Sequence, residues 1–168
     1  MTARLRDLLE SGEYLSYAYS YPHKTAYRPL EPVVDLPALW AHEDRAALFL
    51  YVHVPFCEQR CGFCNLFTQV HPGPGLELRY IEALERQAQV TREFLGDFQV
   101  AQVAVGGGTP SFLEAPLLAR ALGVVRSLNG ATKPTSIEVS PATLTGEKLA
   151  VLREHGVTRV SMGVQSVL

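Results

Sequence analysis

Leu50-Tyr51-Val52-His53-Val54-Pro55-Phe56-Cys57-Glu58-Gln59-Arg60-Cys61-Gly62-Phe63-Cys64 holds all 3 cysteines of a 168-residue chain. An apolar, strand-like run feeds a proline, and the cysteines follow on what should be a loop. Thiolates are soft ligands, suited to zinc, copper(I) or an iron–sulfur cluster. A structural zinc site wants four ligands, usually as two close pairs. Here the local set stops at three, so a metal centre with an open position fits better. An iron–sulfur cube held by Cys57, Cys61 and Cys64 would leave one iron without a protein ligand. The competing readings are a zinc site completed by His53, His71 or His155, and inert buried cysteines.

Length and composition bound the rest. One domain with a real core fits in 168 residues. Hydrophobic residues at 47% against 19% charged place the chain among ordinary globular proteins rather than disordered ones. The net charge of -2 and the lack of a Lys/Arg run point away from nucleic acid and anionic membranes. No apolar stretch approaches the length of a transmembrane helix. The first residues carry an acid, Asp7, and no continuous apolar core, so no secretory signal is expected. Crowded cysteines argue for metal ligation in a reducing compartment, and the expected location is cytoplasmic.

Either side of the cysteine stretch the chain alternates. Leu5, Leu8 and Leu9 suggest a short first helix stopped at Gly12. Tyr14, Tyr17, Tyr19 and Tyr21 follow, with prolines at 22, 29, 32 and 37, and an irregular arm is expected there whose tyrosines pack on the domain. Ala46 to Val54 reads as a strand, and its length and lack of polar alternation predict burial on both faces. A helix is predicted from about Glu77 to Leu95, with Leu78, Ile81, Leu84, Ala88, Thr91 and Leu95 on its inner face. Val100–Val105 is the second strand. Pro116 opens the next helix, whose inner face carries Leu117, Leu118, Ala121, Leu122, Val125 and Leu128. Ser136–Pro141 contains a third strand, Thr145 N-caps a third helix ended by Gly156, and Val157–Val164 is a fourth strand. This rhythm predicts right-handed βαβ units in a parallel sheet.

Ligands of such sheets gather at the carboxyl ends of the strands. The cysteine loop, Gly106-Gly107-Gly108-Thr109-Pro110, Glu138 and Gln165 all fall at strand ends. Three successive glycines would let a ligand lie against bare backbone, although a plain tight turn explains them equally well. The run is neither a dinucleotide fingerprint nor a P-loop. Glu138 in a buried strand would need a partner or ligand. Tyr51 and His53 share one strand face, where a satisfied core pair is the ordinary expectation.

Taken together, these pieces resemble the radical S-adenosylmethionine superfamily. The carriers are Cys-x3-Cys-x2-Cys with Phe63 before the last cysteine, Tyr51-Val-His-Val-Pro-Phe-Cys57, Gly106–Pro110, Ile137-Glu-Val-Ser-Pro141 and Ser161-Met-Gly-Val-Gln-Ser166. Their order and context are similar to the branch of oxygen-independent coproporphyrinogen III oxidase and its haem-chaperone relatives. The resemblance implies an α/β fold: the N-terminal four units of a partial (β/α)6 barrel over residues 46–168, incomplete at the C-terminus, after an arm at 1–45. It implies a 4Fe–4S cluster on Cys57, Cys61 and Cys64, with S-adenosyl-L-methionine on the bare iron. Tyr51, Phe63, Gly107, Gly108, Thr109, Glu138 and Gln165 match positions that contact this cofactor in the oxidase. One electron would cleave the sulfonium to a 5'-deoxyadenosyl radical, which takes hydrogen from a small, tetrapyrrole-like substrate. No side chain need act as nucleophile or base. A flavodoxin or ferredoxin would donate the electron. The oxidase has a further cysteine two residues past the third ligand, whereas Asn65-Leu66 follow Cys64 here, and a haem-binding chaperone is the alternative.

Overall fold

The computed structural model describes residues 27–29, 31–62, 64, 66–129 and 133–164. The first helix, the tyrosines at 14–21, Phe63 and Gln165 lie outside these described residues. The stretch expected to be irregular contains a short helix, α1 (Leu36–Trp40), N-capped by Asp35, whose carboxylate accepts from the Ala38 amide at 3.3 Å. Pro37 does not prevent it: in the first turn the missing N–H would have had no partner anyway.

The strands and helices then alternate as β1 (Leu48–Val54), the short β2 (Phe56–Cys57) and β3 (Gln69–Val70), and α2 (Leu76–Leu95). After them come β4 (Val100–Gly107), a 3-10 turn at Pro110–Phe112, α3 (Ala115–Asn129), β5 (Thr135–Val139), α4 (Gly146–Glu154) and β6 (Arg159–Met162). Four of the strands form one parallel sheet in the order β1-β4-β5-β6. β2 and β3 pair in parallel beside it and close the base of the cysteine loop.

Burial shows why the sheet holds. Val52, Val54, Val103, Val105, Ile137 and Val139 form one core with Ile81, Leu118, Ala121, Leu122, Val125 and Leu152 from the helices. Each Val, Leu or Ile among them, fully buried, contributes about 1.5–3 kcal/mol. The predicted two-sided burial of β1 is overturned: Phe49 is 59% and Tyr51 50% exposed, while Val52 and Val54 are buried. All three long helices pack against one face, so the odd-numbered side chains of β1 stand on the other. The inner face of α2 is likewise narrower than predicted. Ile81, Ala88 and Leu95 are buried, whereas Leu78 is exposed. Thr145 caps α4 as expected, accepting from the Lys148 amide at 3.3 Å.

In-register partners share a face, so pairing fixes the uncovered surface. Tyr51, Ala104, Ser136 and Arg159 form one row across it. His53 pairs with Gly106 and Glu138 with Ser161 in the row above, nearer the carboxyl ends. The face that carries the chemistry-bearing residues is therefore the one without helices.

Candidate metal centre at the strand ends

Phe56 anchors the cysteine loop. It is 1% exposed and meets the Tyr80 ring edge-on at 5.4 Å, with Phe112 at 6.3 Å. Cys57 therefore leaves the core from a fixed point. Cys61 and Cys64 lie farther along a turn closed by the Cys64 amide donating to the Cys61 carbonyl at 3.0 Å. All three cysteines are free thiols of intermediate exposure.

The glycine run is fastened to this loop. The Gly108 amide donates to the Val54 carbonyl and the Thr109 amide to the Phe56 carbonyl, each at 2.7 Å. The Thr109 hydroxyl donates to the Cys57 sulfur at 3.6 Å. A Cβ at Gly108 would fall 2.5 Å from the Phe56 carbonyl oxygen and 2.9 Å from that sulfur. Gly107, at φ +108°, is in the left-handed region, and a Cβ there would strike the His53 ring at 2.7 Å. These glycines thus make room for the protein's own atoms, which is a different use from the bare ligand-facing wall anticipated from sequence.

Glu138 is exposed rather than buried, because β5 presents it to the uncovered face. Its carboxylate still has a partner, accepting from the Gly107 amide at 3.2 Å. Tyr51 stands over the same point: the Cβ position of Gly106 is 2.8 Å from Glu138 Oε2 and 3.4 Å from Tyr51 Oη. Tyr51, Gly107, Gly108, Thr109, Glu138 and Cys57 therefore form one continuous surface. Phe63 and Gln165 lie outside the described residues.

His53, read from sequence as a satisfied core residue or a fourth zinc ligand, is half-buried with both ring nitrogens engaged by the protein itself. Its Nε2 bonds the Phe67 carbonyl at 2.8 Å and its Nδ1 the Tyr51 hydroxyl at 3.3 Å. Its link to Tyr51 was not anticipated, although their alternation along one strand face was the available signal. His155 bonds the Val151 carbonyl within its own helix, away from the loop.

Electrostatics show what the thiols need. Burial pushes the Cys57 thiol above its ordinary range; the Thr109 hydrogen bond opposes this, and charge on Cys64 and Cys61 raises it further. Three thiolates here repel one another, and a bound cationic centre would relieve that repulsion while releasing their protons. Among the described residues, no three of His, Cys, Asp and Glu converge as ligands of a single metal ion. The donor set instead fits an iron–sulfur cube, in which each thiolate takes its own iron and the ligands need not share one centre.

The profile of the Radical SAM superfamily matches residues 51–168. The oxygen-independent coproporphyrinogen III oxidase of Salmonella typhimurium is 33% identical over 158 residues, covering 89% of this chain and 34% of the relative. The heme chaperone HemW of Mycobacterium tuberculosis is 38% identical over 138 residues, covering 80% and 35%. The solved coproporphyrinogen III oxidase (HemN) from Escherichia coli, a radical SAM enzyme, superposes with a TM-score of 0.70 at 31% identity, over 79% of this chain and 31% of that one. The chain spans about a third of the length of these curated relatives.

Proposed function

The chain belongs to the radical S-adenosylmethionine superfamily, and from that membership we propose that Cys57, Cys61 and Cys64 hold a 4Fe–4S cluster beside a site for S-adenosylmethionine. The observation that carries the reading is the 3.6 Å contact between Thr109 and Cys57. It joins the two motifs, cysteine loop and glycine run, into one wall. When bound, the cluster would supply the electron that splits the sulfonium into methionine and a 5'-deoxyadenosyl radical, which takes a hydrogen atom from substrate.

This chain's own part is positional. Phe56 and Thr109 hold the Cys57 thiolate against the sheet. Glu138 and Tyr51 offer oxygen atoms above Gly106, where they take up hydrogen-bond donors of the cofactor. Gly107, Gly108 and Thr109 line the approach to the sulfur ligands, and Phe63 and Gln165 complete the set. The division into an arm at 1–45 and a core at 46–168 belongs to the same proposal. So do a flavodoxin or ferredoxin as electron source and a cytoplasmic location, since thiols and cluster need reducing surroundings. No helix among the described residues is long and apolar enough to cross a membrane.

The proposed substrate class is a porphyrinogen-type tetrapyrrole, after the relatives named as coproporphyrinogen oxidases. A second reading, a haem carrier that keeps the cluster without oxidising a porphyrinogen, is favoured by the 38% identity to the heme chaperone and by Leu66 standing two residues past Cys64, where the oxidase has a further cysteine. Anaerobic reconstitution tests the common core. Iron and sulfide should bind and be lost on replacing each of the three cysteines by serine. With a strong reductant, the protein should release methionine and 5'-deoxyadenosine. Haem titration then separates the readings: tight haem binding with little turnover supports the carrier. Protein that takes up neither iron nor sulfide ends the proposal.

A further inference from the structure

His53 makes contacts in three directions at once. Its ring fills the volume a side chain at Gly107 would occupy, with ring atoms 2.7 Å from that Cβ position. Its Nε2 reaches the Phe67 carbonyl at 2.8 Å, 14 residues along the chain and just beyond the last cysteine. Its Nδ1 meets the Tyr51 hydroxyl at 3.3 Å. The His53 carbonyl, in turn, accepts from the Tyr80 hydroxyl.

A carbonyl oxygen can only accept, so Nε2 must carry the proton. In the neutral ring Nδ1 then has only a lone pair, and Tyr51 must donate to it. We propose that His53 is a positioning residue with two tasks: Nε2 tethers the exit of the cysteine loop to β1, and Nδ1 fixes Tyr51 as a hydrogen-bond acceptor toward the cofactor. This rests on the cluster and S-adenosylmethionine reading given above. With its proton committed to His53, Tyr51 presents oxygen lone pairs beside the Glu138 carboxylate, whose Oε2 lies 2.8 Å from the Gly106 Cβ position. Two acceptors side by side select a ligand group that brings donors, such as an amine or a pair of hydroxyls, and disfavour one that brings acceptors.

Two substitutions separate the tasks. His53→Gln retains an amide N–H near the Nε2 position and loses the acceptor toward Tyr51. His53→Asn retains an acceptor near Nδ1 and loses the tether. With the reconstituted protein, His53→Gln should weaken S-adenosylmethionine binding about three- to tenfold, one hydrogen bond's worth. It should add no further loss in a Tyr51→Phe background. His53→Asn should keep the affinity but surrender iron to a chelator about three- to tenfold faster. A merely structural role would give losses additive with Tyr51→Phe. The cluster-free, unsubstituted protein gives an independent reading through the long-range proton–nitrogen NMR correlations of His53. These should show the Nε2–H tautomer with Nδ1 unprotonated. An Nδ1–H tautomer, additive losses, or variants indistinguishable from the parent would overturn the proposal. If the parent holds no cluster, the function proposed above fails, while the tautomer measurement still decides the role of His53.

Discussion

Replacing Gly108 by alanine should be among the most damaging single-methyl additions in the chain. The new Cβ would lie 2.5 Å from the Phe56 carbonyl oxygen, a backbone atom. Carbon–oxygen contacts settle near 3.3 Å, so the two backbones must separate by about 0.8 Å. That motion acts directly on the 2.7 Å bonds from the Gly108 and Thr109 amides to Val54 and Phe56. Stretched by such an amount they leave the normal range. Two hydrogen bonds at about 1 kcal/mol each, with about 1–3 kcal/mol for overpacking, give a loss of roughly 3–5 kcal/mol. Against a typical total of about 5–15 kcal/mol this is severe. The matched control is Gly123→Ala, in the interior of α3, where nothing lies within 4 Å of the added carbon. That change should stabilise by up to about 1 kcal/mol through helix propensity. Urea unfolding of both variants at unchanged slope is the assay. Gly108→Ala unfolding within about 1 kcal/mol of the parent would refute the claim that cysteine loop and glycine run share a fixed contact.

Three further expectations follow from buried polar groups and surface charge. Lys148 is buried and donates to the Ser111 and Thr143 carbonyls at 2.8 and 3.1 Å; Lys148→Met should cost about 1–3 kcal/mol per carbonyl left without a donor, read as a lower urea midpoint. Burial, with charge on Tyr51, pushes the Tyr80 phenol up to about 12. Because the folded value is raised, its stabilisation is intact below pH ~10 and lost as pH rises toward 12; Tyr80→Phe should remove that alkaline step from a stability–pH profile. Arg120 pairs with Glu85 at 2.8 Å on the surface and holds that carboxyl below its usual range. Breaking the pair with Arg120→Gln should leave the thermal midpoint unmoved within error and move only the acid limb, where the lowered carboxyl is protonated.

The βα rhythm was readable because each strand is an apolar run stopped by Pro or Gly, and each helix repeats its apolar positions at helical spacing. The motifs were readable too, since all three cysteines fall within eight residues and the glycines follow a strand. What escaped was sidedness. Leu48–Val54 is apolar or aromatic except at His53, and nothing local tells Phe49 and Tyr51 that helices pack on the opposite face alone. The glycine run misled for a related reason: which atoms occupy the space beside Gly107 and Gly108 depends on His53, Phe56 and Cys57 meeting them across strands. Pro37 was taken as a breaker when its position in the first turn makes it harmless.

The cysteine loop is fastened at its two ends and open between them. Cys57 inherits its place from Phe56, a side chain clamped between two aromatic rings, whereas Glu58, Gln59 and Arg60 just beyond it are exposed. The segment from 58 to 60 is thus the natural place for sequence drift or deliberate randomisation. A library confined to those three positions would retune the charge and conformation of the loop while Cys57 stays in register with the sheet.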